Sequence, residues 1–149
     1  MNSQPPFATS FGTNTSVNTI TVASFITGAT TSPTADTGSY ARFQKIGTIV
    51  NLEFKYKFLT TGSGAMSINL PVAINTNYPK PQSVCHIRYS NSPGTGKVYI
   101  GHYNENTTSS VNLVFSTTYG GVPASFTTSS PETLVIGDIL TGVIIYETS

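Results

Sequence analysis

The stretch KIGTIVNLEFKYKF, residues 45–58, decides how the rest of the chain is read. Val50, Leu52, Phe54, Tyr56 and Phe58 alternate with Asn51, Glu53, Lys55 and Lys57. A period of two is the mark of a strand with one dry and one wet face, because successive side chains of an extended backbone point to opposite sides. The five apolar positions are therefore expected to line a core or a subunit interface. Gly47 interrupts the pattern, so residues 40–46 and 48–59 read as two strands joined at a turn.

Working outward, the same signal recurs between clusters of Gly, Pro and Asn, and no segment has the period of a helix. Residues 17–26 place Ile20, Val22 and Ile26 on one face and threonines on the other. Residues 65–70 put Met66, Ile68 and Leu70 inward, and Pro71 ends that strand because it cannot donate to a ladder. Residues 83–90 and 97–103 flank NSPGTG as a hairpin, and residues 110–117 follow a turn at 104–109. Residues 28–39, 75–82 and 118–133 read as loops, the last with a short edge segment. The closing run ILTGVIIYE, 139–147, is apolar at nearly every position and reads as a central strand covered on both faces. These segments predict an all-β fold: an antiparallel β-sandwich, jelly-roll-like, of about eight strands. The predicted organisation is an N-terminal arm over 1–16 and a single β-sandwich domain over 17–149.

Composition agrees with this class. The chain has 149 residues and a net charge of +1, which suits one domain able to bury its own core. Ser and Thr make up roughly a quarter of the residues, a β-branched, uncharged polarity that favours turns and sheets over helices. The few charges lack the basic footprint of a duplex-binding protein, so no nucleic acid partner is expected. No run approaches the ~18 apolar residues of a spanning helix, so no membrane insertion is expected. The start of the chain has neither the basic residues nor the apolar run of a secretory signal. A soluble protein made in a cytosol is expected, and the two Asn-x-Ser/Thr sequons read as chance matches.

The motifs that could carry chemistry are weak. SPGTGK, 92–97, would need a Gly where Asn91 stands, a Ser or Thr where Val98 stands, and a following helix to cradle a phosphate. It reads as a turn. Cys85 and His86 are strand neighbours that face opposite ways, so they cannot act as nucleophile and base. The single cysteine excludes an intrachain disulfide and a multi-cysteine zinc site, and the His and acid spacings match no metal motif. Glu53 reads as a cross-strand ion-pair partner, and Asp138 after Gly137 as a turn residue. No enzyme activity, no cofactor and no metal are expected. Tyr78, Tyr89, Tyr99, Tyr103 and Tyr119 have two readings: cross-strand packing, or a surface that takes a receptor or glycan through rigid rings with polar tips.

The order of elements resembles the C-terminal β-sandwich domains of phage tail-fibre and related viral virion-surface receptor-binding proteins. The resemblance spans about residues 38–147. It is carried by Tyr40, Lys45, Gly47 and Val50 leading into the alternating strand, then Leu70-Pro71, the Gly-rich middle hairpin, Gly137-Asp138 and Tyr146. It implies a jelly-roll-like domain, commonly a homotrimer, held among other virion proteins and presenting loops to a host-surface glycan or protein receptor. Such fibre heads usually follow a coiled-coil or collagen-like stalk, and the short polar segment preceding residue 17 is instead expected to pack on its own or a neighbouring subunit. The implied role is a non-enzymatic structural protein of the virion that serves attachment. The alternatives are a minor capsid or cementing protein and, in another class, a carbohydrate-binding module or TNF-like ligand.

Overall fold

The computed structural model describes residues 16–75, 84–91, 95–105, 107–117 and 121–148. The predicted arm therefore lies almost wholly outside the described residues. The strands are β1 (Asn18–Thr19), β2 (Ile26–Gly28), β3 (Tyr40–Ile46), β4 (Ile49–Lys57), β5 (Met66–Asn69), β6 (Val84–Ser90), β7 (Val98–Glu105), β8 (Ser110–Phe115), β9 (Ala124–Ser125) and β10 (Ile139–Glu147). The only helical element among the described residues is a single 3-10 turn at Val22–Ser24. The fold is all-β, and every strand pair is antiparallel.

The strands form one hydrogen-bonded path, β1-β3-β4-β10-β6-β7-β8-β5-β2, with β9 added to β8. This path curls on itself into a half-barrel. Phe25, next to β2 at one end of the path, lies 5.1 Å ring to ring from Phe54 of β4 near the other end. The layers expected of a sandwich are thus two halves of one sheet, facing each other across a shared aromatic core.

The hairpin β3–β4 turns at Gly47 with φ 60°, and its register runs from Tyr40 opposite Lys55 to Ile46 opposite Ile49. Val50, Leu52, Phe54, Tyr56 and Phe58 are all buried, as are Met66, Ile68 and Leu70. Two buried tyrosines of this core satisfy their hydroxyls: Tyr56 donates to the Pro33 carbonyl at 3.0 Å and Tyr146 to the Val72 carbonyl at 2.9 Å. Phe54 is packed against a gap in β10. It pairs with Gly142, where a Cβ would stand 2.7 Å from the ring, so any larger residue there would have to move the phenyl group.

Two strand expectations change. Residues 17–26 do not form one strand: β1 pairs with β3, the 3-10 turn intervenes, and β2 pairs with β5. The break carries the chain from one end of the sheet path to the other, a long-range demand that overrides the local alternation. β10 is central, between β4 and β6, yet among the described residues only one of its faces is covered. Leu140, Gly142, Ile144 and Tyr146 point inward, while Val143 and Ile145 remain 38% and 36% exposed. Among the described residues no second layer lies over these positions on the opposite side of the sheet.

Candidate functional site

Because paired residues in an antiparallel ladder point to the same side, the registers of β3, β4, β10, β6 and β7 lay out the uncovered face in rows. One row reads Arg42, Glu53, Val143, His86. The next reads Tyr40, Lys55, Thr141, Arg88, Ile100. Towards the Gly47 turn lie Gln44, Asn51 and Ile145, then the pair Ile46 and Ile49.

Glu53 organises the centre. Its Oε2 accepts from the Arg42 Nη2 at 2.9 Å and Nε at 3.1 Å, and its Oε1 accepts from the Tyr40 hydroxyl at 3.0 Å. The Arg42 guanidinium also lies 5.3 Å from the centre of the Tyr40 ring, within cation–π range. These donors hold the Glu53 carboxyl below its ordinary pKa, chiefly through Arg42 and then Tyr40, and the same carboxylate raises the Tyr40 pKa. Glu53 is therefore an ionised acceptor at neutral pH, not a proton donor.

Two shallow depressions flank Glu53. One, of about 240 Å³, lies against Arg42, Gln44 and Asn51. The other, of about 210 Å³, lies against Tyr40, Lys55, His86, Thr141 and Val143, with Gly142 in its floor. Both fall below the roughly 300–1,000 Å³ of pockets that enclose a ligand. They suit a ligand gripped from one side.

A second polar cluster is sealed inside. Asp138, fully buried, accepts on Oδ2 from the Tyr89 hydroxyl at 2.7 Å, the Asn91 amide at 2.9 Å and the Val135 backbone N–H at 2.9 Å. The Asn91 amide also donates to the Thr133 carbonyl at 3.0 Å, and the Asn91 Oδ1 accepts from the Thr95 backbone N–H and hydroxyl. This cluster ties the end of β6 and the hairpin after it to the turn before β10. It is structural.

The tyrosines proposed from sequence separate accordingly. Tyr89 is fully buried and Tyr103 is 9% exposed, so neither ring is offered to a ligand. Tyr99 is half-buried, stacks on Tyr89 with ring centres 5.9 Å apart, and donates to Glu132 at 2.8 Å. In these three, cross-strand packing accounts for the ring. Tyr78 and Tyr119 lie outside the described residues. The exposed tyrosine of the sheet face is Tyr40, 41% exposed, which sequence reasoning used only as part of a family pattern. Its parity with Arg42, on the wet side of a strand paired to Glu53 and Lys55, was the available signal.

Cys85 is half-buried on the core side, and desolvation raises its thiol pKa, against a smaller lowering from the Tyr103 backbone. His86 and His102 are exposed on the opposite side, so no thiolate–imidazole pair forms. Among the described residues no group of three or more His, Cys, Asp or Glu stands close enough to hold a metal ion. No helix among the described residues is long and apolar enough to cross a membrane. No family model matches the chain, and no match was found among curated proteins or solved structures.

Proposed function

We propose that this chain is a non-enzymatic viral structural protein, displayed on the virion as a spike- or fibre-head-like homotrimer and used for attachment to the host surface. The observation that carries the reading is the uncovered face of β3, β4, β10 and β6. A half-barrel that buries its core on one side leaves Ile46, Ile49 and Ile145 in solvent on the other, at 62%, 44% and 36% exposure. Grouped aliphatic side chains on a sheet face favour burial against another surface. Beside them, the same face offers Tyr40, Arg42 and Glu53 in the geometry of a recognition surface: an exposed aromatic ring with fixed polar partners. The apolar end serves subunit contact and the polar centre serves the receptor. The resemblance of residues 38–147 to virion-surface domains supports the viral context.

Light scattering on the purified chain should give a trimer, and Ile46→Asp with Ile49→Asp should shift it to monomer. A wild-type monomer would count against the spike. Locating the protein in a particle map then tests attachment directly. A distal position supports it, and a position buried between capsomers replaces it with a cementing role.

A further inference from the structure

We infer that the row Lys55, Thr141, Arg88 is the binding site for an acidic sugar residue, with the anionic group seated over the Thr141 hydroxyl and clamped by the two cations. The inference rests on the attachment reading for its biological setting, and on the sheet register for its chemistry. Thr141 pairs with Lys55 on one side and with Arg88 on the other, so three adjacent strands present cation, hydroxyl and cation on one line. Neighbouring strands stand about 4.8 Å apart. Two long basic side chains rooted about 10 Å apart can therefore converge above the hydroxyl between them.

Among the described residues the charges of this row are uncommitted. Arg42, Lys57 and Lys97 are ion-paired, to Glu53, Asp36 and Glu132. Lys55 and Arg88 have no ion pair among the described residues. They lie opposite Thr141 on a strand that carries no acid until Glu147. A carboxylate or sulfate placed there would gain charge-assisted hydrogen bonds from Arg88 and a point charge from Lys55.

The surroundings select a sugar over a denser polyanion. The next row puts the ionised Glu53 beside the depression, which repels closely spaced phosphates. Glu53 has accepting capacity left beyond its bonds to Tyr40 and Arg42, so it can take a ligand hydroxyl. The exposed Tyr40 ring forms one wall, and Gly142 and Val143 keep the floor low. One negative charge, several hydroxyl donors and a flat apolar patch describe an acidic sugar ring.

The test is binding of the full chain to immobilised hyaluronate, which carries carboxylates, to chondroitin sulfate, which adds sulfates, and to neutral dextran. Wild type should bind at least one acidic polysaccharide and not dextran, and added salt should weaken binding. Which acidic arm prevails identifies carboxylate or sulfate. Lys55→Gln with Arg88→Gln should lower affinity by at least about tenfold, or about 1.4 kcal/mol. Lys45→Gln, whose charge lies off this row, should leave it unchanged. Both variants should unfold at the wild-type denaturant midpoint, because the altered side chains are at least partly exposed and have no ion pair among the described residues. Equal binding by wild type and the double variant, equal losses in the double variant and Lys45→Gln, or no acidic polysaccharide bound by wild type would each overturn the site. A distal particle position with no acidic-sugar binding removes this inference and leaves attachment standing. Binding that depends on Lys55 and Arg88 in a protein buried between capsomers does the reverse.

Discussion

Asp138 and Glu53 are built alike and placed oppositely. Each carboxylate accepts from a tyrosine hydroxyl and from side-chain nitrogen, Asp138 from Tyr89 and Asn91, Glu53 from Tyr40 and Arg42. Asp138 is fully buried and its donors are neutral; the Glu53 side chain is 41% exposed and its main partner is a cation. Burial, more than the number of bonds, decides what each cluster does. Inside, every donor aimed at Asp138 loses water when the chain folds, so the cluster fixes the fold. Outside, water competes for each partner of Glu53, so that cluster stays available to a ligand.

The largest effect expected from this contrast is the loss of the inner cluster. Asp138→Ala leaves the Tyr89 hydroxyl, the Asn91 amide and the Val135 N–H without their common acceptor. It should cost on the order of 3–5 kcal/mol in urea unfolding. Glu53→Ala should cost under about 1 kcal/mol. Similar costs for both would mean that exposure does not separate the two clusters.

The strand carrying Glu53 makes the same contrast across its own thickness. Phe54→Ala should cost ~3–5 kcal/mol, because it empties the space above Gly142 as well as removing a buried ring. Lys55→Ala should cost almost nothing. A small loss from Phe54→Ala would show that the ring is not held in the closed half-barrel.

Alkaline pH should sharpen the comparison next. Burial pushes the phenols of Tyr56 and Tyr146 up to about 12, and raises Tyr89 further, first through burial and then through Asp138. A folded pKa above the ordinary 10.0 means that the unfolded chain releases its protons first. The stabilising difference is complete below pH ~10 and is lost as the pH rises through about 12. Tyrosinate absorbance should therefore appear together with unfolding for the buried set. Gradual titration of all tyrosines in a folded chain would contradict the buried placement.

The alternation in residues 45–58 made the inner and outer faces of β4 legible, because a half-buried strand writes its burial into every second residue. β10 shows where that signal ends. Val143 and Ile145 are as apolar as Leu140 and Ile144, so the sequence does not tell the dry side from the wet one. Their partners do: Val143 sits between Glu53 and His86, which belong in water. The polar clusters were less accessible still. Tyr89 and Asp138 are 49 residues apart, and only the pairing of β6 with β10 brings them together. The tyrosines that the sequence offers to a ligand, Tyr78, Tyr89, Tyr99, Tyr103 and Tyr119, concentrate in residues 89–103, where the core uses the rings. Tyr40, a single ring on a charged strand, lay on the open face.

The smallest predicted effect tests the outer cluster on its own terms. Glu53 is held below its ordinary pKa by Arg42 and then Tyr40. With the folded value below the unfolded one, its contribution is present above the ordinary carboxylate pKa and disappears as the pH falls through the lowered folded value. Solvent screening keeps that contribution well under about 1 kcal/mol. Wild type should therefore lose slightly more stability than Glu53→Gln between pH ~5 and pH ~3, and the difference should shrink as salt is added. The mild loss has a structural reason. If acid instead unfolded wild type and left Glu53→Gln folded, the Arg42–Glu53–Tyr40 cluster would be holding β3 onto β4. The outer face would then be part of the scaffold that the half-barrel depends on, with little freedom left to rearrange around a ligand.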